Sequence, residues 1–163
     1  MANERVTRIG DGWYLVETDE GRWRVAVASE QNATWVFTNG QVARIEAQVV
    51  QRRTVHAGET CGYGATFTAE QDTQAAILNI GYADGYLRGF SSRGMAFAGE
   101  MSLPVIGRVS MDLIAVRCDA APDIKEGDWV ELDYDLPDAA HQSGLSQYEL
   151  LTTLGSRFER RWI

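Results

Sequence analysis

The segment Met95–Arg117, MAFAGEMSLPVIGRVSMDLIAVR, decides the fold class. Met95–Ala98, Val105–Val109 and Leu113–Arg117 are short, largely apolar runs that read as strands. Each is too short for a helix, and Gly99 and Gly107 punctuate the segment, as short β connections require. Working outward, Ala75–Ile80 and Trp129–Tyr134 have the same character, and Lys125-Glu126-Gly127-Asp128 reads as a turn before the latter. Gly81, Gly85, Gly89 and Gly94 punctuate the stretch between Ile80 and Met95. Strands are therefore expected from Thr54 onward.

The N-terminal region also reads as β. Trp13–Thr18 leads through Asp19-Glu20-Gly21 into Arg22–Val27, where polar and apolar residues alternate. Thr34–Thr38 is a third run, and Asn39-Gly40 is a two-residue hairpin signal because both residues tolerate positive φ. Gln41–Val50 follows, making an expected four-strand antiparallel series. One helix is expected near the end: Ser146 and Glu149 form a capping box, Tyr148, Leu150, Leu151 and Leu154 make an apolar stripe, and Gly155 closes it. The expected architecture is mainly β, a small closed or nearly closed barrel of antiparallel strands with one short C-terminal helix, since closure leaves few free edges. Two domains are expected, residues 1–40 as a β segment of separate origin and 41–163 as the barrel.

Composition narrows the functional classes. The 163 residues carry a net charge of −8, which disfavours phosphate-backbone and anionic-membrane partners. Cys61 and Cys118 are far apart and no Cys-x-x-Cys pair exists, so a zinc ribbon is excluded on spacing. No leader and no apolar run near 18 residues is present, and a cytoplasmic location is expected. Lys125 is the sole lysine, so any mechanism that needs a lysine has one candidate here.

Four patterns occur in order: Gly62-Tyr63-Gly64-Ala65-Thr66-Phe67, Gly81-Tyr82-Ala83-Asp84-Gly85-Tyr86-Leu87-Arg88, Pro104–Asp112 with its Gly107-Arg108-Val109-Ser110-Met111-Asp112 core, and Tyr148–Thr152 followed by Arg157 and Arg160. Together they resemble the C-terminal domain of alanine racemases. The resemblance implies that Tyr63 is the base on one face of the substrate α-carbon. It implies that Tyr82 and Arg88, with Arg108 nearby, line the path by which substrate enters. Met111 would offer a backbone N–H to the substrate carboxylate, with Asp112 beside it, and Tyr148 would meet the phosphate of pyridoxal phosphate. Tyr63 and Met111 would serve the site of a second subunit, which implies a homodimer. The chemistry is intelligible in itself, because inversion at an α-carbon needs an acid–base group on each face and an electron sink.

The family's other half is a (β/α)₈ barrel bearing the lysine that anchors the cofactor. Residues 1–40 lack βα alternation and are too few to form one. Lys125 falls in an expected exposed turn, where its ammonium stays protonated. The expectation is therefore that no cofactor is bound by this chain alone and that it does not racemise alanine alone. Two alternatives compete with that reading. One is a hydrolase of ester or phosphoester substrates working in the vacated cleft, with His56, Glu59 and Cys61 as possible metal ligands and Asp84, Asp112 and His141 as further candidate groups. The other is a non-catalytic β-module that associates with itself.

Residues 1–40 are faintly similar to the β-rich region between the carboxylase and biotin-carrier parts of some acyl-CoA carboxylases, which suggests a chimeric or recombinant chain. Trp13, Trp23, Trp35 and Phe37 would supply apolar area to cover the barrel domain, roughly 1.5–3 kcal/mol for each large side chain buried. On that hypothesis deletion of residues 1–40 lowers the melting temperature, and an unchanged melting curve would refute it.

Overall fold

The computed structural model describes residues 5–10, 13–18, 21–30, 33–36 and 45–158. The chain divides into two units, residues 1–43 and 44–163. The first contains a four-stranded antiparallel sheet of β1 (Arg5–Gly10), β2 (Trp13–Thr18), β3 (Gly21–Glu30) and β4 (Ala33–Val36), in that order. Its register pairs Val16 with Trp23 and Val27 with Val36. The strands expected at Trp13–Thr18 and Arg22–Val27 are found, and the third, expected at Thr34–Thr38, is found at Ala33–Val36, with Phe37 and Thr38 outside the described residues. The fourth strand of this sheet is Arg5–Gly10, whereas the strand expected from Gln41 onward belongs to the second unit. The Asn39-Gly40 hairpin lies outside the described residues.

The second unit is a closed six-stranded barrel with extra short elements. In chain order its elements are β5 (Ile45–Val55), β6 (Thr60–Cys61), β7 (Phe67–Thr68), β8 (Thr73–Leu78), β9 (Met95–Ala98), β10 (Met101–Ile106), β11 (Ile114–Arg117), β12 (Trp129–Leu132), α1 (Leu136–Ser143) and α2 (Gln147–Thr152). The barrel runs β10-β11-β8-β5-β12-β9, with β9 pairing back onto β10, and every pairing is antiparallel. Closure leaves the six strands no open edge, as the sequence pattern anticipated. β5 is long enough to serve two neighbours: Ile45–Gln48 pair with β12, and Val49–Val55 pair with β8. Its register slips between Val49 and Gln51, and such bulges bend a strand, as a small barrel requires. Inward-facing Val49, Leu78, Ala96, Leu103, Val116 and Val130 are fully buried.

Between β8 and β9 the chain makes two short 3₁₀ turns, Tyr82–Asp84 and Arg88–Phe90. The aromatic rings of Tyr86 and Phe90 stack at 4.5 Å, and Tyr134 tilts against Phe90 at 5.9 Å. Burial pushes both phenols above their ordinary range. The Tyr134 hydroxyl donates to the Leu150 carbonyl at 3.2 Å, whereas the Tyr86 hydroxyl is buried with no partner among the described residues. Gly94 faces it, and a Cβ there would lie 2.0 Å from the Tyr86 oxygen.

The expected C-terminal helix is α2, with both arms of its capping box formed: Glu149 N–H donates to Ser146 Oγ at 3.2 Å, and Ser146 N–H to Glu149 Oε2 at 2.8 Å. These bonds from Ser146 hold the Glu149 carboxyl below the ordinary carboxylate range. α2 ends at Thr152, before Gly155, which has a packing task instead. α1 is an additional helix that the apolar pattern did not reveal, because only Leu136 and Ala139 of its eight residues are buried. Its ends do follow capping rules: the Asp135 side chain accepts from Asp138 N–H, Pro137 sits in the first turn, and Gly144 closes it at φ 76°. Among the described residues no helix is long and apolar enough to cross a membrane.

The unpartnered Tyr86 hydroxyl gives a direct test. A buried hydroxyl without a bond carries a desolvation cost, so Tyr86→Phe is expected to leave stability unchanged or raise it by about 1 kcal/mol. Gly94→Ala is expected to cost roughly 1–3 kcal/mol by overpacking. Much of that loss should be recovered in the Tyr86→Phe background, as read by urea denaturation in a double-mutant cycle.

Candidate functional site

The site is built from three loops that glycines allow to touch. The turn between β6 and β7 carries Gly62 at φ 82°, Gly64 at φ 74° and Ala65 at φ 51°. This left-handed path turns Tyr63 outward, and the residue is 57% exposed. The same turn crosses the chain just after β10 at backbone contact distance. A Cβ on Gly62 would lie 3.1 Å from the Arg108 nitrogen, and one on Gly107 would lie 2.9 Å from the Cys61 carbonyl oxygen. Two backbones approach so closely only where neither residue has a side chain. The crossing brings Arg108 beside the tyrosine turn, with its Nη1 3.8 Å from where a Cβ on Gly64 would stand.

The loop after β8 supplies the second part. The Arg88 guanidinium lies 4.9 Å from the Tyr82 ring centroid and 5.7 Å from that of Tyr63, a cation–π arrangement shared by two aromatic faces. Among the described residues neither Arg88 nor Arg108 has a carboxylate within salt-bridge distance. In a chain of net charge −8 this is a local cationic and phenolic surface, suited to a small carboxylate.

The third part is the turn Ser110–Leu113. The Ser110 hydroxyl both donates to the Leu113 carbonyl (2.7 Å) and accepts from its N–H (3.1 Å). Tyr82 N–H donates to the Ser110 carbonyl and Ala83 N–H to the Met111 carbonyl, each at 3.0 Å. Gly81 lies directly under this turn, where a Cβ would sit 2.3 Å from the Met111 oxygen. All peptide bonds described are trans, so the Met111 N–H points opposite to the Ser110 carbonyl and away from the Tyr82 loop. No acceptor meets it among the described residues, and Met111 is 55% exposed.

Beneath these loops Asp84 is buried. Its Oδ2 accepts from Gly81 N–H at 2.9 Å and its Oδ1 from Arg157 Nε at 2.6 Å, while Arg157 Nη1 reaches Asp112 Oδ1 at 2.7 Å. These two carboxylates raise the Arg157 guanidinium further above its already high range, Asp84 contributing most. The backbone N–H of Gly155 donates to the Asp84 carbonyl. Arg157 is 73 residues from one carboxylate and 45 from the other, and no local spacing could have signalled the contact.

The structure thus brings Tyr63, Tyr82, Arg88, Arg108, Met111 and Asp112 into one connected set of loops. Tyr148 lies in α2, and its side chain is outside the described residues. His56, Glu59 and Cys61 do not converge as ligands. His56 Nδ1 faces Asp72 Oδ2 at 3.1 Å, Glu59 Oε2 accepts from His56 N–H, and Cys61 packs against the Val55–Ala75 core. No cluster of three His, Cys, Asp or Glu able to hold a metal occurs among the described residues. His141 is in the last turn of α1, a different element from either acidic candidate. Lys125 is exposed in the turn before β12, and that turn packs on β5 through Gly127 N–H to Val49 and Gln48 to Gly127.

Fold and loops define a closed antiparallel β-barrel domain that carries an exposed tyrosine, two arginines with no salt-bridge partner among the described residues, and an outward backbone N–H. The profile described as "Alanine racemase, C-terminal domain" matches residues 42–162, and the chain belongs to that family. It is 42% identical to the catabolic alanine racemase of Agrobacterium fabrum over 127 residues, which are 75% of this chain and 33% of the relative. The alanine racemase of Brucella canis is 41% identical, over 75% of this chain and 32% of its own length. Among solved structures, the Bartonella henselae alanine racemase, which has pyridoxal phosphate covalently bound, matches with a TM-score of 0.68 at 37% identity, covering 75% of this chain and 35% of that one. The biosynthetic enzyme of Pseudomonas aeruginosa matches at 0.66 and 36%, covering 72% and 34%. The chain spans about a third of the length of the curated relatives it matches.

The tightest of the contacts is open to test. Gly81→Ala is expected to force the Ser110–Leu113 turn off the Tyr82 loop and to destabilise the domain by at least about 2 kcal/mol, measured by chemical denaturation. Gly99→Ala serves as a reference, since nothing stands within 4 Å of its Cβ position and only backbone strain is added.

Proposed function

We propose that this chain supplies one face of an alanine racemase active site and that these 163 residues do not racemise alanine by themselves. The observation that carries the reading is the linked set Tyr63, Arg88, Tyr82, Arg108 and the outward Met111 N–H. Tyr63 Oη exchanges the proton on one face of the α-carbon. The Met111 N–H binds the substrate carboxylate, with Asp112 bracing the turn that presents it. Arg88 and Arg108, beside Tyr82, draw the carboxylate in from solvent, an electrostatic role supported by their having no carboxylate within salt-bridge distance among the described residues. Because the exposed loops face outward, the reading includes a homodimer in which each chain completes the site of the other.

Pyridoxal phosphate, when bound, is the electron sink for the α-carbanion. The described residues do not fit it unaided. The sole lysine stands in an exposed turn on β5, and the one orphaned buried side-chain polar atom among the described residues, the Tyr86 hydroxyl, is in the core facing Gly94. A partner surface with a lysine and a second acid–base group is therefore required, corresponding to the two-thirds of the relatives that this chain does not match.

The test has two arms. Purified chain with pyridoxal phosphate should leave L-alanine unchanged in a chiral assay. Co-production with the remaining two-thirds of the Agrobacterium fabrum relative should restore interconversion, and Tyr63→Phe should lower the restored kcat by at least about a hundredfold. Racemisation by the chain alone that disappears in Lys125→Arg would overturn the reading. So would two pieces that bind each other yet stay inactive.

A further inference from the structure

We infer that Arg157 is a positioning residue, whose grip on Asp112 aims the Met111 N–H; the functional half of this inference rests on the reading above. The argument starts with the unequal surroundings of its two carboxylates. The Asp84 side chain is 7% exposed, and a buried carboxylate without a cationic partner is strongly unfavourable. The Arg157–Asp84 contact is therefore an anchor that stabilises the fold. The Asp112 side chain is 54% exposed, and an ion pair in such a setting contributes little to stability. Its consequence is geometric instead. A planar guanidinium anchored through Nε has Nη1 at a set place, so Asp112 Oδ1 at 2.7 Å is held there too.

The turn is thereby fixed from two directions. Tyr82 and Ala83 N–H hold the Ser110 and Met111 carbonyls from one side, and Arg157 holds the Asp112 side chain from the other. The Tyr82 bond to the Ser110 carbonyl sets the plane of the peptide that carries the Met111 N–H. The Arg157 bond to Asp112, on the next residue, keeps the turn seated so that this single backbone bond persists and the N–H stays pointed outward. Gly155 strengthens the link. Its N–H donates to the Asp84 carbonyl, and a Cβ there would lie 2.9 Å from the Ala83 oxygen, so the segment carrying Arg157 is itself seated on the Tyr82 loop. A residue after the last helix thus sets the direction of a donor 46 positions earlier in the chain.

This division of labour separates stability from positioning. In ¹⁵N-labelled chain, Asp112→Ala should change the melting temperature by no more than about 2 °C. It should also shift the Met111 amide resonance and lower its order parameter from about 0.85 toward 0.6. Arg157→Gln should do the same and lower the melting temperature as well, because Asp84 loses its cation. Arg157→Lys should restore much of the melting temperature but not the Met111 order parameter, since an ammonium has no fork to span both acids. Val49→Ala, a destabilising core change, is the control and should leave the Met111 amide unmoved.

A Met111 amide with wild-type shift and order in Asp112→Ala overturns the inference, as does an equal change in Val49→Ala. If Arg157→Gln fails to fold, Asp112→Ala still decides. In the reconstituted two-piece enzyme, Asp112→Ala should raise the KM for alanine roughly tenfold with a much smaller change in kcat. A proportionate loss in kcat alone would count against positioning. Two pieces that show no racemisation would reject the functional reading, while the amide measurements would still decide whether the clamp exists.

Discussion

Asp84 presents a carboxylate inside the protein, and the arrangement of the candidate site depends on how that charge is satisfied. One oxygen takes the N–H of Gly81, and the other takes Arg157 from beyond the last helix. Neither partner is optional, because a buried charge is tolerated only when paired and hydrogen-bonded. Meeting this requirement draws the loop after β8, the turn after β10 and the C-terminal segment into one contact. The loops that carry Tyr82, Arg88 and Met111 are thus ordered by a salt bridge to a carboxylate buried beneath them.

Glycine acts as the second constraint. At Gly81 the missing side chain lets one loop lie directly on the Met111 carbonyl, and at Gly62 and Gly107 it lets two backbones cross. Each contact would be closed by a single methyl group. The barrel provides the fixed frame: Leu78, at the end of β8, pairs with Ile114, at the start of β11, so the loops flanking these residues open at the same end. A rigid frame with glycine-permitted loop contacts lets irregular segments present polar groups in a fixed arrangement.

The strands were legible because a half-buried strand writes its environment into alternating residue types, as in Ile45–Val49, whose odd positions face the core. α2 was legible from Ser146 and Glu149, whose reciprocal bonds are local. α1 was not, since only Leu136 and Ala139 of its eight residues are buried, too few to leave a stripe. The sheet of the first unit was misassigned by one strand. Gln41–Val50 has a strand pattern, but a pattern does not say which sheet a strand joins, and β5 pairs with β8 and β12.

The amino-acid sequence by itself determined which residues could carry chemistry. Tyr63, Tyr82, Arg88, Arg108 and Met111 lie in short motifs whose spacing survives in one dimension, and the solitary Lys125 marks what these residues lack. Tertiary structure alone decided how those groups are aimed. The shared cation between two tyrosine rings, the glycine crossings and the Arg157 grip on Asp84 and Asp112 join residues tens of positions apart. Such contacts arise from closing the chain into a barrel and burying one charge, and neither event leaves a local periodicity to read.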